Sequence, residues 1–234
     1  MTHLSDAHHF RKMVAGFCMG AAPLVFLVAV VIHPETGTDE ASIVAAAADN
    51  PDAWYLAHLL VLVSVVLAVP AVLGLMHMLR EREVALGHVG GGLGMLGLIA
   101  FAGIVSVEGL VGWQMGAAGD RAEMVALLER LFDTTGVVVP LYFMSFAFTL
   151  GMLCLATGLY RARAVQSWMA AFVALGVIVS AIGGAAATEW LAIVGAAFLF
   201  VGLGSVGRMV LSEPDEDWEH TPEYRGFRPL PGTR

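Results

Sequence analysis

Residues 54–79 read WYLAHLLVLVSVVLAVPAVLGLMHML, an apolar stretch without a single Asp, Glu, Lys or Arg. A helix needs about 20 consecutive apolar residues to cross the ~30 Å hydrocarbon layer of a bilayer, and this stretch is long enough to do so. A helix at the surface of a soluble protein carries polar residues along one face, and this segment has no such face. The segment therefore predicts a membrane-spanning helix.

The composition of the whole chain agrees with that prediction. Of its 234 residues, 58% are hydrophobic and only 14% are charged. Soluble domains carry about a quarter charged residues, so this chain has more apolar surface than one aqueous core can bury. Its 12 Lys and Arg residues form no basic cluster, which excludes a nucleic-acid-binding surface.

Five further segments share the length and apolar character of the first. Each holds at most one acidic or basic residue. The six predicted spans are Val14–Ile32, Trp54–Leu79, Val89–Met115, Gly136–Leu159, Ser167–Ala187 and Trp190–Leu211. The expected fold class is all-α, a polytopic membrane protein with a six-transmembrane-helix bundle at 14–211. A cytoplasmic leader at 1–13 precedes the bundle, and an acidic, proline-rich cytoplasmic tail at 212–234, disordered or loosely docked, follows it.

The distribution of Lys and Arg predicts how the chain is oriented in the cell membrane. If the N-terminus is cytoplasmic, ten of these residues lie on the inner side, and only Arg121 and Arg130 lie outside. Short cytoplasmic loops carry the excess of positive charge in membrane proteins. Six spans then leave both termini in the cytoplasm.

Both longer outer loops are expected to contain short helices. Thr38 is placed to cap the first one, whose first turn would hold Asp39 and Glu40. Asn50 and Pro51 predict the cap and first residue of the second span. In the later loop, apolar residues recur at helical spacing among charged ones and predict an amphipathic helix: Met124, Leu127, Leu128, Leu131 and Phe132.

Glycine is concentrated in the third and sixth predicted spans. Gly87 with Gly91, and Gly90 with Gly94, are pairs of small residues four positions apart, which allow another helix to come close. The sixth span carries Gly195, Gly202, Gly204 and Gly207. These residues favour close helix packing, either within the bundle or against a membrane-protein partner or a second copy of the chain.

Four polar residues near the outer ends of the spans form the candidate site: His33, His58, Glu108 and Glu189. An ionised carboxylate at the depth of Glu108 costs on the order of 2.5–3.5 kcal/mol, so its side chain is expected to face the interior and find a partner. Two imidazoles and two carboxylates would suit a divalent metal such as zinc, or a proton relay. A polar belt at the membrane interface explains the same residues.

Histidines at both faces allow a haem alternative. His58 and His77 lie 19 residues apart on one span, which is about 29 Å along a helix axis. With His33 as an outer partner and His88 as an inner one, two bis-histidine b-type haems would form a transmembrane electron carrier. The sequence contains no serine elbow, HExxH or P-loop motif, so no catalytic residue is predicted.

The stretch from Pro34 to His58 carries a family resemblance. The acidic Asp39-Glu40 pair, an alanine run at 45–48 and Trp54 precede a glycine-rich third span. In this arrangement the chain resembles small uncharacterised bacterial integral membrane proteins with six helices, a resemblance that implies a membrane location and no activity.

The expected function is non-enzymatic and carrier-like, with an outward-facing polar pocket for a small molecule, ion or partner helix. The alternatives are the haem carrier, an outer-face metal-dependent enzyme, and a structural subunit of a membrane complex.

Overall fold

The computed structural model describes residues 2–220 and 226–228, and all regular structure in these ranges is helical. The description of side chains begins at Ala7 and omits positions 117, 137, 140, 141, 144 and 145. The elements are α1 (Thr2–Ile32), α2 (Glu40–Asp49), α3 (Pro51–Met78), α4 (Val84–Ser106), a π-helical turn (Val107–Val111), α5 (Gly112–Ala118), α6 (Arg121–Asp133), α7 (Thr135–Arg161), α8 (Ser167–Ala185), α9 (Glu189–Ser212) and α10 (Asp215–Glu219).

Five helical segments are long and apolar enough to cross a membrane: Ala7–Ile32, Pro51–Met78, Val84–Gly116, Ser167–Ala185 and Glu189–Ser212. They coincide with the first, second, third, fifth and sixth predicted spans. The fourth predicted span, Gly136–Leu159, lies within α7, and the continuously described part of that helix, Phe146–Arg161, is also apolar. The regular structure of the described residues is therefore all-helical, with five helical segments that are suited to span a membrane.

The six long helices are arranged as a ring in which each packs mainly against two neighbours. The order around the ring is α1, α3, α4, α7, α8 and α9, and α9 packs against α1 again. The main hydrophobic core lies between these helices and includes the fully buried Met19, Leu75, Leu155 and Val206. Consecutive spans are thus neighbours in space, which short connections favour.

Glycine produces the closest approach between α4 and α7. A Cβ atom on Gly151 of α7 would meet backbone atoms of Gly90 and Gly94 on α4. Backbone cannot move aside as a side chain can, so glycine is required at this crossing. Gly91 instead faces the side chain of Met76 on α3, and Gly87 faces that of Leu79 just beyond the end of α3. Both small-residue pairs of the third predicted span are therefore used for packing within the chain.

Both described ends of the chain lie at the same end of the bundle. The Lys12 ammonium donates a 2.8 Å hydrogen bond to the carbonyl oxygen of Glu213. At the same end, the Arg80 guanidinium donates to the carbonyl of Trp218 at 2.9 Å. We call this end, formed by the α3–α4 and α7–α8 turns and residues 213–220 and 226–228, the chain-end face. The opposite end, formed by α2, α5, α6 and the α8–α9 turn, is the loop face.

The helices of the loop face agree with the predictions except at one cap. Asp39 caps α2 in place of Thr38, because its carboxylate accepts a 2.9 Å hydrogen bond from the Ser42 backbone N–H. An anionic cap also interacts favourably with the positive end of the helix dipole, which a threonine hydroxyl does not match. Pro51 is the first residue of α3, and the amphipathic helix is present as α6.

The predicted leader and tail are partly built into the fold. The described leader residues continue α1 toward its N-terminus without a break. In the predicted tail, Asp215–Glu219 form α10, and Trp218 is only 4% exposed. The division of the chain at residues 13 and 212 stays a prediction, since the membrane boundaries define it.

Candidate functional site

The helix that follows α3 changes its winding near the loop face. The π-helical turn Val107–Val111 separates α4 from α5. Such turns widen the helix locally and are frequent at functional sites. Gly109 in this turn lies against the His58 ring, and Gly112 just beyond it lies against the Trp54 indole. The turn therefore places its backbone directly on α3.

Three rings meet beneath this turn. The ring centroids of His33 and His58 are 5.0 Å apart, those of Trp54 and His58 are 4.7 Å apart, and those of His33 and Trp54 are 5.2 Å apart. Trp54 and His58 are four residues apart on α3, so they lie one helical turn from each other on one face. His33 follows the last residue of α1, which is the neighbour of α3 in the ring. The result is a ring cluster at the loop face in which Trp54 and His58 are buried and His33 is half-buried.

Hydrogen bonds fix the proton position on both imidazoles. Nδ1 of His58 lies 2.8 Å from the Trp54 carbonyl oxygen, and Nδ1 of His33 lies 2.8 Å from the Pro34 carbonyl oxygen. A carbonyl oxygen only accepts, so each Nδ1 carries the proton and donates, and each neutral ring keeps a lone pair on Nε2. Among the described residues, none forms a hydrogen bond with either Nε2. Metal-binding histidines commonly have their other nitrogen held in this way.

Burial also affects the charge of His33, which lies just beyond the end of α1. Removal from water lowers the pKa of its imidazole below the ordinary 6.5, and the hydrogen bond to Pro34 opposes this only in part. Desolvation disfavours the charged form of a histidine. The ring at this position is therefore held neutral, with its Nε2 available as an acceptor.

Glu108 contributes to the cluster through its backbone. The Trp54 indole N–H donates a 2.9 Å hydrogen bond to the Glu108 carbonyl oxygen. The Glu108 side chain is exposed. By helical spacing it shares a face with Gly97, which lies against the backbone of Phe148 on α7. The partner expected for its carboxylate is not found among the described side chains.

Glu189 pairs with a residue that the sequence did not single out. The carboxyl groups of Glu189 and Glu35 lie close to each other. Glu35 follows His33 by two residues in the same loop, and that proximity in sequence was the only available signal.

The structure therefore brings together two of the four candidate residues, His33 and His58. Glu108 is connected to them through Trp54, whereas Glu189 is paired with Glu35. Within residues 2–220 and 226–228, no group of three or more His, Cys, Asp or Glu side chains is arranged to hold a metal ion. The four-residue metal site stays a prediction. We call the two residues that do meet, His33 and His58, the imidazole pair.

The histidines considered for haem have other contacts. The His33 and His58 rings touch each other directly, so no porphyrin plane lies between them. At the chain-end face, His77 stacks on Trp218 with ring centroids 4.4 Å apart, and its Nε2 lies 3.0 Å from the Trp218 carbonyl oxygen. His88 is exposed and bonds to its own helix at Val84. These residues form neither of the two bis-histidine pairs in this arrangement.

A second polar cluster, which the sequence did not predict, holds the chain-end face together. Lys12 is only 4% exposed and forms an ion pair with Asp215. The hydrogen bond from Lys12, helped by one from His9, lowers the pKa of Asp215. Arg228 forms an ion pair with Glu213, and both side chains are buried. Two features of the sequence could have indicated this cluster: the single lysine of the chain and the acidic residues around Trp218.

The two clusters can do different chemistry. The charged side chains named at the chain-end face form ion pairs with one another, although one buried oxygen of Glu213 accepts no hydrogen bond among the described residues. Each ring of the imidazole pair, when neutral, keeps an Nε2 lone pair for a cation or a hydrogen-bond donor. The loop-face cluster is therefore the candidate functional site. Comparison with known proteins finds no family model, no curated protein and no solved structure that matches this chain.

Proposed function

We propose that the protein is a six-span cell-membrane protein with both termini in the cytoplasm, and that it binds a small ligand or ion at its outer face in a non-enzymatic, carrier-like role. The sixth span would be α7, which begins beside α6 at the loop face. Its last residue, Arg161, forms a 3.0 Å ion pair with Glu83 in the α3–α4 turn at the chain-end face. An even number of crossings agrees with the contact between Lys12 and Glu213. The excess of Lys and Arg supports a cytoplasmic chain-end face.

The binding role is carried by one observation, the imidazole pair. His58 is only 6% exposed, and its ring contacts His33 while both Nδ1 atoms are held by backbone carbonyls. Two imidazoles in ring contact, each with a free Nε2 lone pair when neutral, form a pair of acceptors that suits a borderline metal ion such as zinc. Hydrogen-bond donors on a small molecule would use the same two atoms. The ligand class is therefore a metal cation or a compact donor.

Glu108 lies beside this pair at the loop face. Its side chain is exposed, and its backbone carbonyl accepts the hydrogen bond from Trp54. Ionisable residues within spanning helices commonly mark the path of an ion or substrate. In the proposed protein, the exposed Glu108 carboxylate would attract a cation to the loop face, and the imidazole pair would bind it.

Isothermal titration of the full-length protein in detergent with Zn²⁺ tests this function. We expect one ion per chain for the wild type, and at least tenfold weaker binding for His58→Ala and for His33→Ala. His88→Ala is the matched control, because it removes an exposed histidine at the opposite face and should bind Zn²⁺ like the wild type. Wild-type protein without a Zn²⁺ site, or equal affinity in His58→Ala, would contradict the metal form of the proposal and favour a structural subunit.

A further inference from the structure

A cavity at the chain-end face lies apart from the imidazole pair. It has a volume of about 400 Å³ and is lined by Tyr160, Arg161, Arg163, Gly226 and Phe227. One wall is therefore the end of α7 and the turn after it, and the other is the C-terminal segment 226–228. The proposed function uses none of these side chains for ligand binding.

Two guanidinium groups line this cavity. Arg161 is exposed and pairs through Nε with Glu83 at 3.0 Å, which leaves its terminal nitrogens to donate elsewhere. Arg163 is exposed, and the described residues form no ion pair with it. A guanidinium group presents a planar set of donors that matches the oxygens of a phosphate. The charge and geometry of the lining therefore fit a phosphate-bearing anion.

Arg163 has a backbone conformation in which a residue with a side chain is unfavourable. After α7, the N–H of Arg163 bonds to the Tyr160 carbonyl and the N–H of Ala164 bonds to the Leu159 carbonyl. This is the helix-ending motif whose left-handed residue is usually glycine. Arg163 occupies that position with φ of 54°. An unfavourable residue at such a position points to a role for its side chain.

The opposite wall is held in place by hydrogen bonds to the same turn. The backbone N–H of Arg228 donates to the Arg163 carbonyl at 3.1 Å, and the Gln166 side-chain amide donates to the Arg228 carbonyl at 2.5 Å. The cavity is therefore built by two segments that are fixed to each other.

Aromatic rings at its rim indicate the level of the cavity in the membrane. Tyr160 is 52% exposed and Phe227 is 36% exposed, and their ring centroids are 5.6 Å apart. Trp168, at the start of α8, is 40% exposed. Exposed aromatic rings at the ends of spanning helices favour the headgroup region of a bilayer. The two arginines then lie at the level of the lipid phosphates.

We propose that this cavity binds the headgroup of an anionic phospholipid, with Arg161 and Arg163 on its phosphate oxygens and its acyl chains beside Tyr160 and Phe227. Basic pockets at the cytoplasmic ends of spanning helices are suited to anionic headgroups. A soluble phosphate would use the same guanidinium groups. The exposed aromatic rings at the rim favour the lipid, because acyl chains can pack against these rings and a soluble phosphate has no such chains.

Native mass spectrometry of the full-length protein in detergent tests the proposal, with phosphatidylglycerol and phosphatidylcholine supplied at equal concentration. We expect the wild type to retain phosphatidylglycerol in preference to phosphatidylcholine. In Arg163→Gly, we expect this preference to fall about tenfold. The same substitution should keep or raise the melting temperature, because glycine suits the left-handed backbone. Arg163→Lys should restore part of the binding, and Arg11→Gln, at an exposed arginine of α1, should leave it unchanged.

Three results would overturn the lipid assignment. One is equal retention of the two lipids by the wild type, and another is unchanged phosphatidylglycerol binding in Arg163→Gly. The third is binding of inorganic phosphate at millimolar concentration that displaces phosphatidylglycerol completely, which would assign the cavity to a soluble anion. None of these results depends on Zn²⁺ binding, so failure here and failure of the proposed function are distinguishable.

Discussion

The two polar clusters lie at opposite ends of the bundle, and they differ in whether their side chains form ion pairs with one another. At the chain-end face, Lys12 pairs with Asp215, and Arg228 pairs with Glu213. At the loop face, His33 and His58 donate from Nδ1 to backbone carbonyls, and the described residues leave both Nε2 atoms without a hydrogen bond. One buried oxygen of Glu213 also accepts no hydrogen bond among the described residues, so incomplete hydrogen bonding alone does not distinguish the two ends. The difference is that ion pairs hold the chain-end face together, whereas the described residues form no ion pair with His33 or His58.

The largest expected effect comes from breaking the buried pair at the chain-end face. Arg228→Ala leaves the Glu213 carboxylate buried without its guanidinium partner, and removal of one member of such a pair costs about 3–5 kcal/mol. We expect the amides of α10 to lose most of their hydrogen-exchange protection. The double variant Arg228→Ala with Glu213→Ala should recover part of it. Unchanged protection in the single variant would contradict the structural role of this face.

A smaller effect is expected at the glycine crossing between α4 and α7. A methyl group on Gly151 would meet the backbone of Gly90 and Gly94, so Gly151→Ala should destabilise the protein by about 1–3 kcal/mol. Gly92→Ala is the matched control, since a Cβ atom at that position meets nothing within 4 Å. Thermal unfolding in detergent measures both. A loss of stability in the control alone would show that the crossing is misplaced.

At the loop face, the hydrogen bond from Trp54 to Glu108 is expected to contribute less. Trp54→Phe keeps an aromatic ring but removes the N–H that donates to the carbonyl in the π-helical turn. The cost should be about 1 kcal/mol, the usual net value of one hydrogen bond. Zn²⁺ affinity should also fall, because the turn that covers His58 is less firmly held. Trp113→Phe serves as the control, and an equal loss in both variants would argue against the specific bond.

The smallest effect is a pH dependence at the chain-end face. The contacts with Lys12 and His9 hold the pKa of Asp215 below its ordinary 3.8. A lowered pKa in the folded state means that the full contribution is present above pH 3.8 and is lost as the pH falls through the lower value. Fluorescence of Trp218, with the other four tryptophans replaced by Phe, should report release of α10 only in strong acid. In Asp215→Asn this transition should be absent, and an identical acid transition would exclude Asp215 as its cause.

Helix types and several local caps could be predicted from short stretches of sequence. The amphipathic α6 follows from apolar residues at helical spacing, and Pro51 marks the start of α3 because its ring suits a first helical position. The sequence predicts the cap of α2 one residue too early, because Thr38 and Asp39 are both good caps and only the backbone geometry distinguishes them. The winding of the π-helical turn had no local signal.

The candidate site was predictable as a list of residues but not as an arrangement. His33, His58, Glu108 and Glu189 stand out because polar groups are costly near the ends of apolar helices. Which of them meet depends on how α1, α3 and α4 rotate against each other. That rotation brought His33 to His58, connected Glu108 through Trp54, and left Glu189 with Glu35. Spacing along the chain carries no information about such contacts.

The sequence by itself determined that this chain forms long apolar helices suited to a membrane, since the solvation of each segment depends only on its own residues. Only the tertiary structure decided which polar side chains form hydrogen bonds or ion pairs with other residues and which keep a free lone pair. Lys12 meets Glu213 across 201 positions of the chain, and neither residue's local surroundings predict the contact. Hydrocarbon solvation is a sum over neighbours in sequence, whereas hydrogen bonds and ion pairs depend on neighbours in space.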